Sequence, residues 1–68
     1  MTEHIKNTIY EIRKKETVTQ EELADSVDVT RQTVIAIEKG NYTPSLLLAM
    51  KLARYFKKKV DDLFTLYL

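Results

Sequence analysis

Residues 19–40 read TQEELADSVDVTRQTVIAIEKG, and the signals in this stretch decide how the chain folds. Thr19-Gln20-Glu21-Glu22 is a capping box: the Thr19 hydroxyl accepts from the amide of Glu22, and the Glu22 carboxylate accepts from the amide of Thr19. Val18 before the cap and Leu23 after it form a hydrophobic staple, which sets the angle at which the chain enters the helix. That helix reaches about Ser26, and Asp28 stands where the chain must turn. Thr30 caps the next helix, with Val29 and Val34 repeating the staple, and Val34 and Ile37 face inward. Gly40 follows Lys39 as a residue that takes positive φ without a Cβ penalty, so the helix runs from about Arg31 to Lys39.

Outside this unit, helical spacing continues in both directions. Thr43 is expected to cap a fourth helix with Pro44 at its first position, where a missing N–H costs nothing; Tyr42 and Leu47 supply a third staple. Leu46, Ala49, Leu52, Ala53 and Phe56 form its expected buried face, and Lys57–Lys59 a solvated link to a short fifth helix around Val60 to Phe64. Upstream, Ile5, Ile9 and Ile12 mark one face of a first helix ending near Glu16. Thr2 and Asn7 can each cap it, and with Asn7 as the cap residues 1–6 become an extended arm. No strand pattern, repeat or low-complexity tract interrupts the series. The expected fold class is all-α: one compact five-helix domain over residues 1–68, with a short tail at 65–68 that is extended or packed on a partner.

Composition narrows the function classes. A chain of 68 residues is one domain at most. It holds no cysteine, so neither a disulfide nor a thiolate metal site staples it. No stretch approaches the ~20 apolar residues of a membrane span, and no leader pattern is present, so a cytoplasmic protein is expected. His4 stands without ligands at metal spacing and no Gly-rich phosphate loop occurs, so no enzyme, cofactor, metal or small-molecule site is expected. The net charge of +1 does not by itself suggest a nucleic-acid partner.

Two short helices joined by a tight turn over Gln20 to Lys39 form the helix-turn-helix arrangement. Such helices are marginal alone and must lean on the first and fourth helices; Ala24 allows a close crossing. TQEELADSVDVTRQTVIAIEKGNYTPS resembles the helix-turn-helix of the Cro/Xre-type, lambdoid phage-repressor-like regulators, over roughly Ile9 to Phe64. The matching features are Gln20, Glu22-Leu23-Ala24, Val29-Thr30-Arg31-Gln32-Thr33, Ile37-Glu38, Gly40 and Pro44-Ser45. Asp28 departs from the family, which usually has Gly in this turn; Asp tolerates the left-handed conformation better than most residues.

The resemblance implies a sequence-specific, double-stranded DNA-binding transcriptional regulator with the start of the third helix in the major groove. Arg31 suits guanine O6 and N7, and Gln32 adenine N6 and N7. Thr33 is in reach of a base or phosphate, Ile35 suits a thymine methyl, and Ala36 permits close approach. Gln20, Thr30, Lys39, Asn41, Tyr42 and Thr43 are the expected phosphate contacts. The bland readings are solvated polar side chains, a stray aliphatic at Ile35, and caps and staples at Thr43 and Tyr42. The resemblance also implies an Arg13–Glu38 ion pair between the first and third helices, which takes Arg13 off the DNA list.

Modules of this size work as symmetric dimers on palindromic operators, and the apolar terminus supplies a surface. Leu66, Tyr67 and Leu68, joined by Leu47 and Met50, are the expected homodimer contact. The competing reading folds the tail back over the arm at Ile5. A repressor is the favoured role; an antitoxin or protein-interaction adaptor on the same fold is the alternative.

Overall fold

The computed structural model describes residues 3–67. In chain order these form β1 (His4–Asn7), α1 (Ile9–Lys15), α2 (Gln20–Ser26), α3 (Arg31–Glu38), α4 (Leu46–Phe56), α5 (Val60–Leu63) and β2 (Phe64–Tyr67).

Local chemistry explains most boundaries. The capping box on α2 forms, with Glu22 N donating to Thr19 Oγ1 at 3.0 Å and Thr19 N to Glu22 Oε1 at 2.8 Å. The Thr30 hydroxyl accepts from Thr33 N at the start of α3. Gly40 ends α3 at φ 79°, where its N–H donates to Ile37 O at 3.0 Å and Asn41 N to Ala36 O at 2.9 Å. Asp28 is left-handed, with φ 62°. Thr17 and Lys57 take the same conformation at the ends of α1 and α4, with φ 56° and 57°. Four helices thus close through a left-handed residue, only one of them glycine.

The architecture is mostly helical but not all-α. β1 and β2 pair antiparallel in the register His4–Tyr67, Ile5–Leu66, Lys6–Thr65 and Asn7–Phe64. The extended-arm alternative describes the N-terminal end, and Ile5 belongs to the arm rather than to α1. The tail lies beside that arm, so the fold-back reading describes residues 64–67; Thr2 and Leu68 lie outside the described residues. Strands of four residues are too short for an alternating pattern to register. Thr8 occupies the N-cap position of α1 without a side-chain cap, and Asn7 Oδ1 accepts from Ile9 N at 3.1 Å instead.

α4 starts two residues later than expected. Ser45, not Thr43, is its cap: Leu48 N donates to Ser45 Oγ at 3.1 Å, and Ser45 has an extended ψ of 162°. Pro44 therefore precedes the cap, and Tyr42 and Leu47 are not at staple positions. The buried stripe becomes Leu48, Ala49, Leu52, Ala53 and Phe56, while Leu46 is 72% exposed. At 3.6 residues per turn the centre of that stripe lies to one side of Leu46, so the side chain emerges at its flank. α5 ends at Leu63, and Phe64 is already strand. Ile9, Leu23, Val34, Ile37, Leu52 and Leu63 are the largest fully buried side chains, so α3 contributes two of its eight residues to the centre of the core.

Candidate nucleic-acid interface

α3 is held from within and open on its outer side. Val34 and Ile37 fasten it to the core, and Arg13 fastens its last turn. The Arg13 guanidinium, nearly buried, donates from Nε to Glu38 Oε2 at 2.6 Å, from Nη2 to Glu38 Oε1 at 3.2 Å and from Nη1 to Val18 O at 2.9 Å. This two-pronged pairing leaves the charges satisfied; among the described residues no buried side-chain N or O lacks a partner. The α1–α3 ion pair that the resemblance implies is therefore present.

Gln20 opens α2 and is held beside α3. Its Nε2 donates to Glu38 Oε1 at 3.0 Å, so the carboxamide is tied to the same carboxylate as Arg13. One N–H and the carbonyl oxygen are left over for another partner. Asn7 makes a comparable long-range bond, Nδ2 donating to Ile37 O at 3.0 Å, which ties β1 to the end of α3. Neither pairing has a local sequence signature, because the partners are 18 and 30 residues apart.

On the outer side Arg31 and Gln32 are exposed, in the first turn of α3. Thr33 is half-buried, its Oγ1 3.2 Å from Thr30 Oγ1. Ile35 and Ala36 are also half-buried, so the outward apolar surface at Ile35 is smaller than its helical position suggested. Lys39, Asn41, Tyr42 and Thr43 are exposed around the C-terminal end of α3 and the loop after it. Arg31 further shares an open cleft of about 690 Å³ with Lys14, Thr17, Thr19 and Gln20. Lys14 and Thr17 were not among the expected site residues; Lys14 adjoins Arg13 in the last turn of α1.

The expected dimer residues come from two elements, Leu47 and Met50 from α4 and Leu66 and Tyr67 from β2. Leu47 lines a pocket with Val29 and Tyr42, whereas Leu46 lines an apolar groove with Ile5, Pro44, Ala49, Val60 and Phe64. Met50, Leu66 and Tyr67 are exposed, and Leu68 lies outside the described residues. Among those residues no cluster of His, Asp or Glu is placed to hold a metal ion, and no helix is long and apolar enough to cross a membrane.

A short, capped helix locked to its scaffold by a buried ion pair, with Arg and Gln exposed in its first turn, defines a helix-turn-helix module. The helix-turn-helix family model matches residues 9–63. The regulator YgzD of Bacillus subtilis, described as an uncharacterized HTH-type transcriptional regulator, is 52% identical over 62 residues, covering 91% of this chain and 94% of the relative. Proteins described in the same words from Methanocaldococcus jannaschii and Methanothermobacter thermautotrophicus are 50% and 51% identical over 60 and 63 residues. Those alignments cover 88% and 91% of this chain and 91% of each relative. The chain belongs to the Cro/C1-type helix-turn-helix family. It is a DNA-binding transcriptional regulator and not an enzyme.

Proposed function

We propose that the protein is a cytoplasmic transcriptional repressor that binds a palindromic operator as a homodimer, with α3 in the major groove. The observation that carries this reading is the exposure of Arg31 and Gln32 on a helix whose opposite side is immobilised by Val34, Ile37 and the Arg13–Glu38 pair. A reading head must be rigid, because base-edge hydrogen bonds discriminate only when donor and acceptor are held in register. Arg31 and Gln32 take base edges, Thr33 a base or phosphate, and Ile35 and Ala36 the apolar floor of the groove. Gln20, Thr30, Lys39, Asn41, Tyr42 and Thr43 hold the backbone on either side. With a net charge of +1, long-range attraction contributes little, and affinity rests on these local contacts and on coupling two subunits.

The dimer face combines Met50, Leu66 and Tyr67 with Leu68, and the exposed Leu46 and Ile5 extend it. Leu47 is a further member. Selection of bound duplexes from a random pool tests both halves of the proposal. A palindrome with half-sites about 34 Å apart is expected. Arg31→Ala is expected to cost about 1–3 kcal/mol and relax preference at one position. A non-palindromic preference together with a concentration-independent monomer mass would defeat the dimer, and no preference at all would defeat sequence-specific reading.

A further inference from the structure

We propose that β1 is a second DNA-backbone contact: the cleft between β1 and the C-terminal end of α3 seats a phosphodiester, with Lys6 as its principal cation. The inference rests on the groove reading of α3 and extends it to an element with no role so far.

Eight residues of helix span about 12 Å, close to the ~12 Å width of the major groove. A helix of that length lying in the groove brings a phosphate strand near each of its ends. The cleft containing Arg31, Lys14 and Gln20 meets the strand at the first end. At the other end is a second open cleft, of about 440 Å³, lined by His4, Lys6, Asn7, Lys39, Thr43 and Tyr67 among others. Three observations make this more than a gap between surface side chains.

First, β1 is tied to α3, because Asn7 donates to the carbonyl of Ile37 in the last turn of that helix. Whatever seats α3 in a groove carries β1 with it. Second, Lys6 and His4 stand two apart on the strand and therefore on one face, and both reach Tyr67 of β2. The Lys6 ammonium lies 5.4 Å from the Tyr67 ring centroid and the His4 ring 5.6 Å from it. A cation–π contact of this kind holds an ammonium in place while leaving donor hydrogens for an oxygen anion. Third, the charges favour an anion. Lys6 and Lys39 approach from two elements, and the Glu38 carboxylate at the edge is already taken by Arg13 and Gln20. Glu3 is the one other carboxylate on the lining.

The test measures binding of the full chain to a duplex selected from a random pool, and to a scrambled duplex, as a function of salt. Lys6→Gln is expected to reduce the slope of log K against log salt by about one on both duplexes, without changing the preference between them. Lys6→Arg should restore it, and Lys39→Gln should lower it alike. If Lys39→Gln lowers the slope and Lys6→Gln does not, α3 is in the groove and the contact by β1 is wrong. If neither changes it, the groove reading itself fails along with the inference. Should Lys6→Gln lower the melting temperature, Glu3→Gln reads the same cleft from outside the strand. It is expected to raise affinity several-fold at low salt, and an unchanged affinity would overturn the proposal.

Discussion

The α2–α3 unit and the β1–β2 sheet both frame the candidate interface, but they are held together in opposite ways. α2 and α3 are neighbours in sequence, each started by a threonine cap, and they bury Leu23, Ala24, Val34 and Ile37 in one core. β1 and β2 come from the two ends of the chain, and most of their residues are exposed. Burial and a desolvated ion pair secure the first region; backbone pairing and the side chain of Asn7 secure the second. A reading helix gains from rigidity, whereas a backbone-contacting arm tolerates movement. The two should therefore open with different free energies.

The most damaging way to break the rigid side is Glu38→Ala. It leaves the Arg13 guanidinium buried and unpaired and releases Gln20, and a loss of about 3–5 kcal/mol is expected. A domain of this length has a total stability of about 3–10 kcal/mol, so the variant stands close to unfolding at 25 °C. Urea unfolding at unchanged slope measures this, and a loss under about 1 kcal/mol would mean that the pair does not anchor α3. On the sheet side, Asn7→Ala removes two hydrogen bonds, to Ile37 O and from Ile9 N, for an expected loss of about 2 kcal/mol. Amide exchange should accelerate in β1 and β2 first. Equal acceleration in α2 and α3 would show that the regions open as one unit.

The same contrast explains what was legible in the sequence. The α2–α3 unit could be read because its instructions act over five residues or fewer: a capping box, staples, and a glycine at the end of α3. The sheet could be read only as alternatives, an extended arm and a folded-back tail, since four-residue strands carry no period and their partners lie at the far end of the chain. The run Leu46-Leu47-Leu48 hides the phase of α4, because three consecutive leucines suit any register, and only the cap on Ser45 selects Leu48. Within the site, exposure of Arg31 and Gln32 followed from the position of the caps. The attachment of Gln20 to Glu38 did not, because nothing near either residue announces a pairing across two helices.

The helix ends sharpen the comparison at a smaller scale. Gly40 and Asp28 are the left-handed positions expected from the sequence, yet Thr17 and Lys57 adopt this conformation too. An L-residue there costs about 1–2 kcal/mol, more for a β-branched side chain than for Asp. Glycine removes that strain but loses more conformational entropy on folding. Thr17→Gly is thus expected to stabilise by about 1 kcal/mol and Asp28→Gly by less than that, the exposed contact of Asp28 with Lys51 at 4.0 Å contributing little. Melting temperatures in the order Thr17→Gly, Asp28→Gly, wild type are the expected result. The reverse order for the two variants would mean that side-chain bonding, not backbone strain, sets the cost at these caps.

The smallest expected effect concerns acid. The N–H of Thr19, and then its hydroxyl, hold the Glu22 carboxyl below its ordinary value of 4.5. A carboxyl with a depressed pKa in the folded chain takes up its proton more readily in the unfolded chain. Its stabilising contribution is therefore complete above about pH 4.5 and is lost as pH falls through the lower, folded value. Glu22 is fully exposed, so the effect is modest and confined to the start of α2. Glu22→Gln keeps an acceptor for the Thr19 amide but not the charge, so it should be slightly less stable than wild type near neutral pH and should flatten this part of the acid limb. Urea midpoints of the two proteins, followed from about pH 3 to pH 7, should converge at the acid end. Curves that stay parallel throughout would mean the capping box contributes through geometry alone. Amide exchange in β1 and β2 supplies the internal control, because the capping box touches neither strand and the substitution should leave their opening unchanged.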